Sequence, residues 1–468
     1  MTRHLKPKVL VVGGGPGGYV AAIRAGQLGL DTVLVEGDRL GGTCLIRGCI
    51  PSKALIHAAE QFDTMARCVG DGSLGIRLSA PPILDLPRMM AWKDGIVQRL
   101  DTGVGGLLRK AGVAVVRGRA VFSDAKTCKV ASAEGDTVVS AEHVVLANGS
   151  VPVELPSLPF GGIVMSSTEA LSLESLPRRL VIVGGGYIGI ELGTAFRKLG
   201  SAVTIVEAQD RILPLYDATL VEPVQRRLHA AGVAMHLGAQ AQMLERSGNE
   251  DALVVRLRDG STVRLPADRV LVTVGRRANL QGWGLEAMAV DTEDGCVKVD
   301  DQCRTAMRNV WAIGDLVGEP MLAHKASAQG EMVAEVIAGH RRRFDPAAIP
   351  AVCFTDPEIV SVGLLPSEAE ARGLDAVVGS FPFAANGRAM TLDDDGGFVR
   401  VVARRDTRRI VGIQAVGAHV SELSGEFALA IEMASVVEDL VGTIHVHPTL
   451  GEAVREAAMR AFGAAIHV

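Results

Sequence analysis

Cys44 and Cys49 are the residues whose types and spacing most clearly indicate chemistry. Two thiols this close together beside a dinucleotide fingerprint predict a disulfide that exchanges electrons with a bound cofactor. In a regular helix residues i and i+5 lie about 8.7 Å apart, whereas a disulfide needs Cα atoms about 4.4–6.8 Å apart. The segment must therefore be distorted if the bridge forms. Pro51 supplies a cause, because it has no N–H for the carbonyl of Arg47, and Gly48 adds backbone freedom.

Two buried free cysteines, or half of a zinc site, are the alternatives for this pair. Neither explains the glycines around it, and the other cysteines form no second close pair of the structural-zinc type. They are Cys68, Cys128, Cys296, Cys303 and Cys353. We therefore expect no metal site, and a catalytic bridge in a reducing compartment.

Two stretches of the chain repeat one nucleotide-binding plan of strand, glycine turn, helix, strand and acidic residue. The glycines and the closing acid are Gly13, Gly15, Gly18 and Glu36 in the first unit, and Gly184, Gly186, Gly189 and Glu207 in the second. Such glycines let the backbone approach a pyrophosphate at the positive end of the helix, and the acid accepts hydrogen bonds from an adenosine ribose. Plain tight turns are the weaker alternative, because both units are complete.

The order of these units assigns the cofactors. The cysteine pair follows soon after Glu36, so the first unit should bind FAD tightly beside its own disulfide, and the second unit should bind NAD. A carboxylate at Glu207 suits the free 2′-hydroxyl of NAD and repels the 2′-phosphate of NADP. No arginine immediately follows Glu207 to reverse that preference.

This pattern predicts an α/β fold with two Rossmann-like dinucleotide-binding domains and a C-terminal α+β domain. The expected parts are a FAD domain with the cysteine pair (1–150), a NAD domain (151–278), a central segment completing the FAD site (279–345) and the C-terminal domain (346–468). Strands that end in a glycine turn add three candidate cofactor contacts, Gly149, Gly275 and Asp315. Periodicity predicts helices near 52–65, 92–111, 421–440 and 452–462, and strands at 398–403 and 410–416.

Composition excludes several classes of function. A net charge of −5 and a pI near 6.2, without a long basic run, make nucleic acid an unexpected partner. No apolar stretch reaches the length of a membrane span, so we expect no membrane association and a cytoplasmic protein. The three aspartates at 393–395 are expected to form a solvated loop.

With these motifs, the chain resembles the pyridine nucleotide–disulfide oxidoreductases, and among them the enzymes that oxidise dihydrolipoyl groups with NAD in 2-oxoacid dehydrogenase complexes. The resemblance runs through the cysteine motif, both glycine units and the segments 312–315, 321–326 and 445–453. Segments 91–96 and 381–390 further resemble the bacterial form that serves branched-chain complexes. The resemblance implies a homodimer joined by the C-terminal domain, with the lipoyl domain of an acyltransferase as partner.

The resemblance also implies roles for single residues. Cys44 is the thiol that exchanges with the substrate, and Cys49 is the thiol that faces the flavin. Lys53 lies near flavin N5, where it stabilises negative charge on the reduced ring, and Glu191 is its carboxylate partner. Residue type alone would instead place Lys53 and Glu191 on the solvated surface.

Further roles follow in the same way. Asp315 holds the ribityl chain of FAD, and Ala323 contacts the cofactor. His447 and Glu452 form an acid–base dyad, which the chemistry needs because a thiol with a pKa of about 8.5 is mostly protonated at neutral pH. In the family this histidine reaches across a two-fold axis into the cysteine site of the other subunit, whereas His445 is expected to be a turn residue.

The chain departs from the family pattern at three positions, where Ile46, Asn148 and Val446 replace the usual asparagine, threonine and alanine. None of these changes removes a group with an assigned catalytic role. Glutathione reduction is disfavoured by Glu207, and the mercuric and large thioredoxin reductases carry a C-terminal thiol pair that this sequence lacks. A docking subunit without catalysis, or a redox sensor with one reactive cysteine, does not explain the intact pair and dyad.

Overall fold

A computed structural model describes residues 2–132, 135–247 and 250–467. The chain forms two compact units. The first unit contains residues 1–155, 165–175 and 274–345, and the second contains residues 156–164, 176–273 and 346–468. The division into four domains stays a prediction, because compact units and domains need not coincide.

Residues up to 155 form most of a nucleotide-binding fold. The strands are β1 (Arg3–Leu5), β2 (Val9–Val12), β3 (Thr32–Glu36), β4 (Ala114–Arg117), β5 (Arg119–Phe122), β6 (Thr127–Ala131), β7 (Thr137–Ser140), β8 (His143–Leu146) and β9 (Ser150–Pro152), and the helices are α1 (Pro16–Gln27), α2 (Cys49–Arg67) and α3 (Leu86–Lys110). Strands β8, β2, β3 and β4 pair in parallel, and β2 is buried throughout, as in a parallel sheet covered on both faces. Strands β1, β7, β6 and β5 form a second sheet.

The helices of this part begin earlier than predicted. Helix α2 begins at Cys49, directly after Gly48, and α3 begins at Leu86. The start of α3 is explained by Asp85, whose side chain accepts the N–H of Arg88 at 3.1 Å. An aspartate at this position satisfies a donor that the first turn of a helix leaves unpaired.

Residues 156–273 repeat the plan. The strands are β10 (Val164–Met165), β11 (Arg179–Val183), β12 (Ala202–Glu207), β13 (Ala234–Leu237), β14 (Gln240–Ser247), β15 (Glu250–Arg256), β16 (Thr262–Pro266) and β17 (Arg269–Val272), and the helices are α4 (Ser167–Ala170), α5 (Tyr187–Lys198) and α6 (Ala218–Ala230). Strands β17, β11, β12 and β13 pair in parallel, and β14, β15 and β16 form an antiparallel sheet. The second glycine turn therefore also joins a buried parallel strand to a helix.

Residues 274–345 return to the first unit. They contain β18 (Arg276–Ala278), β19 (Thr292–Glu293), β20 (Cys296–Val297), β21 (Val310–Ala312) and α7 (Ala323–Ile337). Strand β21 joins the parallel sheet beside β8, which gives the order β21–β8–β2–β3–β4. The turn that carries Asp315 therefore leaves the same sheet edge as the first glycine turn.

The C-terminal part is α+β. The strands are β22 (Ala351–Cys353), β23 (Glu358–Gly363), β24 (Ala376–Pro382), β25 (Phe398–Arg404) and β26 (Ile410–Gly417), and the helices are α8 (Pro366–Ala371), α9 (Gly387–Thr391), α10 (Ser424–Glu432), α11 (Val437–Gly442) and α12 (Glu452–Arg460). They form one antiparallel sheet in the order β22–β23–β26–β25–β24. Strands β25 and β26 confirm the two predicted strands.

The predicted helix at 421–440 is wrong as one element, because it is broken between α10 and α11, where Ala434 has a left-handed backbone with φ 54°. The three aspartates at 393–395 lie outside helices and strands, and Asp393 and Asp395 are exposed, as expected. Asp394 differs, because it is half-buried and its carboxylate accepts a hydrogen bond from Arg227 at 2.8 Å. Within the described ranges of the chain, no helix is long and apolar enough to cross a membrane.

Candidate redox and nucleotide sites

The cysteine segment is distorted, as the spacing of the thiols requires. Thr43–Arg47 forms a wide π-helical turn, Gly48 breaks it, and α2 starts at Cys49. A Cβ atom on Gly48 would lie 2.8 Å from the carbonyl oxygen of Thr43, so only glycine fits there without a shift. The distortion lies before Pro51, which occupies the first turn of α2, where proline is tolerated.

This turn brings the thiols of Cys44 and Cys49 within hydrogen-bonding distance. Cys44 is half-buried and Cys49 is exposed. The hydrogen bond to Cys49 and then burial raise the pKa of Cys44, and the nearby positive charge of Lys53 opposes them. When the pair is reduced, these effects favour the protonated form of Cys44, and the two thiols titrate as a unit.

Lys53 and Glu191 lie in different compact units. Lys53 is half-buried on α2, one turn after Cys49. Glu191 is on α5, where it is 3% exposed, and its carboxylate accepts the N–H of Phe354 at 2.9 Å. The surface position that residue type suggests for Glu191 is therefore wrong.

The first glycine turn has space where a pyrophosphate would bind. A Cβ atom on Gly18 would lie 1.8 Å from the carbonyl oxygen of Gly13, so this glycine allows α1 to pack against the strand end. Gly15, at the N-terminus of α1, is open, because the nearest heavy atom to its added Cβ would be Gly42 Cα at 3.9 Å. An open glycine at a helix N-terminus is a suitable place for a phosphate group.

The second turn has the same division of roles. A Cβ atom on Gly189 would lie 2.2 Å from the carbonyl oxygen of Gly184, whereas one on Gly186 would meet no heavy atom of the described chain within 4 Å. Gly186 lies at the N-terminus of α5. The residues present therefore fit a dinucleotide in each unit.

The two acids have a second role that the sequence did not reveal. Glu36 Oε2 accepts the N–H of Gly14 at 2.6 Å, and Glu207 Oε2 accepts the N–H of Gly185 at 2.5 Å. Each acid therefore ties its glycine turn to the end of the neighbouring strand. Burial raises the pKa of Glu36, although the hydrogen bond from Gly14 opposes the shift. A carboxylate oxygen has two lone pairs, so both acids can still accept a ribose hydroxyl.

The predicted residues around the flavin part of the site also lie in turns. Asp315 is in the short turn Gly314–Val317, and its carboxylate accepts the hydroxyl of Ser150 at 2.5 Å. Arg276 in turn donates to the same hydroxyl at 2.8 Å. Asn148 Oδ1 is buried without a hydrogen-bond partner in the described part of the protein, as expected for an acceptor awaiting a ligand donor.

Three further candidates occupy turns or helix ends. Gly149 and Gly275 have left-handed backbones, with φ 68° and φ 131°. Ala323 is the first residue of α7.

His447 and Glu452 form a pair, with 3.0 Å between Nδ1 and Oε1. Glu452 Oε2 accepts the N–H of Thr449 at 2.8 Å, which fixes the carboxylate. Burial acts to raise the pKa of Glu452, but the hydrogen bonds from Thr449 and His447 outweigh it, and the pKa is lowered. The imidazole is oriented through Nδ1, and its side chain is 78% exposed in the single chain.

A second histidine–carboxylate pair lies on the same segment. His445 Nε2 is 2.9 Å from Glu426 Oε1, and its Nδ1 is 3.1 Å from the carbonyl oxygen of Thr443. The expectation of a plain turn residue for His445 is wrong. No local spacing could have revealed the pair, because Glu426 is on α10, well before the motif.

Comparison with known proteins decides the family. The family described as "Pyridine nucleotide-disulphide oxidoreductase" matches residues 7–330, and its dimerisation domain matches residues 349–458. The chain belongs to this family.

Full-length relatives agree with that membership. The chain is 60% identical to the dihydrolipoyl dehydrogenase of Pseudomonas aeruginosa, over 100% of both chains. It is 44% identical to the dihydrolipoyl dehydrogenase of Geobacillus stearothermophilus, over 99% of this chain and 98% of the relative. Among solved structures, LpdA of Mycobacterium tuberculosis is similar with a TM-score of 0.88 and 29% identity, over 97% of this chain and 99% of that one.

These matches confirm the predicted fold class, the family, the dihydrolipoyl dehydrogenase activity and the FAD and NAD cofactors. The chain also carries a dimerisation domain, in keeping with the predicted homodimer. The roles of single residues stay predictions.

Proposed function

We propose that this pyridine nucleotide-disulphide oxidoreductase oxidises dihydrolipoyl groups carried by the lipoyl domain of a 2-oxoacid dehydrogenase acyltransferase. The observation that carries the proposal is the Cys44–Cys49 pair, held within hydrogen-bonding distance in the unit that contains the FAD-type glycine turn. The names of the full-length relatives support the same substrate.

In the proposed cycle the resting pair is a disulfide. A dihydrolipoyl thiolate attacks Cys44 Sγ and forms a mixed disulfide, while Cys49 leaves as the thiolate. The second substrate thiol then attacks the substrate sulfur of the mixed disulfide, which releases the oxidised lipoyl group and reduced Cys44. Bound FAD supplies the two-electron link from this dithiol to NAD. The raised pKa of Cys44 suits this order, since it favours a protonated Cys44 thiol once the oxidised lipoyl group has left.

The remaining site residues bind cofactors or move protons. Gly15 and Gly186 admit the pyrophosphates of FAD and NAD, Glu36 and Glu207 accept their ribose hydroxyls, and Asp315 holds the FAD chain. Lys53 stabilises charge on the reduced flavin ring, and the resemblance assigns Glu191 as its carboxylate partner.

Proton transfer is assigned to the dyad. His447 removes the substrate proton, and Glu452 orients the imidazole of His447 and stabilises its protonated form. In the homodimer this histidine serves the cysteine pair of the other subunit. We place the enzyme in the cytoplasm, where reducing conditions keep the remaining cysteines as thiols.

A substrate comparison tests the proposal. The holoenzyme is assayed with free dihydrolipoamide and NAD, with NADP in place of NAD, and with NADPH and oxidised glutathione, and a lipoyl domain then replaces the free substrate. We expect turnover with dihydrolipoamide and NAD, and a lower KM for the lipoyl domain. Cys44→Ser is the inactive control, and Cys68→Ser, at a buried cysteine outside the pair, is the matched active control. Preferred reduction of glutathione would contradict the proposal.

A further inference from the structure

Two buried polar side chains of α7 contact the turn that carries Asp315. Lys325 and Gln329 are one helical turn apart and are 5% and 4% exposed. Lys325 Nζ donates to the carbonyl oxygen of Gly318 at 2.6 Å and lies 3.5 Å from that of Gly314. Gln329 Oε1 accepts the N–H of Gly314 at 2.8 Å. The turn is therefore held at both ends by one helix.

The same helix packs backbone against backbone on α1. A Cβ atom on Gly330 would lie 2.3 Å from the carbonyl oxygen of Gly17, and one on Gly17 would lie 3.1 Å from that of Ala326. Helix α1 begins at Pro16, directly after Gly15, the open glycine of the first nucleotide turn. Helix α7 therefore connects the turn for the pyrophosphate to the turn for Asp315, and both contacts leave it little freedom to move.

The polar groups of this contact are costly to bury without partners. An ammonium group removed from water needs hydrogen bonds and a nearby negative charge. Lys325 has the two carbonyl oxygens, and Asp315 supplies a favourable charge: burial lowers the pKa of Lys325 and Asp315 opposes that shift. A lysine used only for packing would be replaced at lower cost by an apolar side chain.

We propose that Lys325 is a positioning residue for FAD: with Gln329, it fixes the turn of Asp315 relative to the pyrophosphate turn at the start of α1. The inference rests on the proposed role of Asp315 in holding FAD. Its consequence is that the loss of Lys325 weakens FAD binding through Asp315, without a direct contact between Lys325 and the cofactor.

The test measures FAD binding to the apoprotein. Apoprotein is titrated with FAD, flavin fluorescence gives Kd, and thermal unfolding of the apoprotein reports the fold. Lys325→Met should raise Kd about tenfold to hundredfold, the range for a lost hydrogen bond from a charged group. Lys298→Met is the matched control, because Lys298 is a 56% exposed lysine of the same unit whose surface ion pair contributes little.

A double mutant separates positioning from general stability. If Lys325 acts through Asp315, Lys325→Met should have a much smaller effect on Kd in an Asp315→Asn background than in the wild type. Equal effects in both backgrounds would mean that Lys325 acts elsewhere. If Asp315→Asn alone leaves Kd unchanged, the role proposed for Asp315 fails. If Asp315→Asn weakens binding and Lys325→Met does not, only the present inference fails.

Gln329 offers a second route if Lys325→Met does not fold. Gln329→Glu keeps an acceptor for the N–H of Gly314, whereas Gln329→Met removes it. The inference requires weaker FAD binding in Gln329→Met and a Kd nearer to the wild type in Gln329→Glu. The same Kd for wild type and Gln329→Met would overturn it.

Discussion

Replacing Glu452 by glutamine removes the charge that faces His447 and keeps the shape of the side chain. The two oxygens of Glu452 accept hydrogen bonds from different donors, His447 Nδ1 at 3.0 Å and the N–H of Thr449 at 2.8 Å. A glutamine offers one oxygen and one NH₂ group, so if the oxygen keeps the N–H of Thr449, the NH₂ group faces His447 Nδ1. His447 then either loses this hydrogen bond or changes to the tautomer that carries the proton on Nε2, where it cannot act as the base. The variant therefore loses the charge and either a hydrogen bond or the correct tautomer, without leaving a cavity.

The size of the effect follows from these contacts. A hydrogen bond to a charged group contributes about 1.5–3 kcal/mol, and about 1.4 kcal/mol corresponds to a factor of ten in rate. We expect Glu452→Gln to lower kcat/KM for dihydrolipoamide about 10- to 100-fold. His447→Gln removes the base itself and should cost about 10²–10⁴-fold. Neither change should alter FAD content, because the dyad has no assigned cofactor contact.

The pH profile gives a second check. The pKa of Glu452 is lowered, because the hydrogen bonds from Thr449 and His447 outweigh burial. Its interaction with His447 is therefore lost only when the pH falls through that depressed value. Above about pH 5 even an ordinary glutamate is already ionised, so Glu452 does not change its charge in this range. A fall of kcat/KM toward acid pH above about pH 5 therefore does not come from Glu452, and it should persist in Glu452→Gln at a lower rate.

The assay is steady-state NAD reduction, combined with subunit mixing. A heterodimer of Cys44→Ser and His447→Gln protomers places both lesions in one site and leaves the other intact, so it should regain about half of the wild-type activity. Differential tags confirm that the heterodimer forms. No recovery would mean that His447 does not serve the partner's cysteine pair. Activity of Glu452→Gln within twofold of the wild type would refute the orienting role of the carboxylate.

Three other changes test separate parts of the structure. Cys49→Ala should lower the pKa of Cys44, because the hydrogen bond to Cys49 is the main cause of its raised pKa. Alkylation of Cys44 by iodoacetamide near pH 8 should then be faster in the reduced protein, and an unchanged dependence of the alkylation rate on pH would contradict this. The wild type should have a higher kcat/KM with NAD than with NADP, and Glu207→Ala should lower kcat/KM with NAD and reduce the difference between the two coenzymes. Equal kcat/KM for both coenzymes in the wild type would contradict the role given to Glu207. Glu335→Gln should lower the free energy of unfolding of the apoprotein in urea by about 1–3 kcal/mol, since Glu335 is buried and accepts a charged hydrogen bond from Arg24 at 2.6 Å. An unchanged free energy of unfolding would mean that water replaces this hydrogen bond to Arg24.

The sequence by itself determined the features that depend on neighbouring residues. The glycine turns could be predicted because Gly18 and Gly189 face the backbone of their own turns. The cysteine pair could be predicted to need a distorted segment because the distance between i and i+5 in a helix is set by helix geometry. The dyad came from a short motif, in which Glu452 follows His447 closely along the chain.

Only the tertiary structure decided which polar side chains are buried and what they contact. Glu191 was expected on the surface by residue type, yet packing removes it from water, and its carboxylate meets the N–H of Phe354 from a distant strand end. His445 and Glu426 come together because α10 packs beside the histidine segment. Lysine is a residue type usually found at the surface. Lys325 is nevertheless buried, and the carbonyl groups that make its burial possible belong to a turn before α7. A one-dimensional pattern reports periodicity and local backbone needs, whereas the partners of a buried charge depend on which elements the folded chain brings into contact.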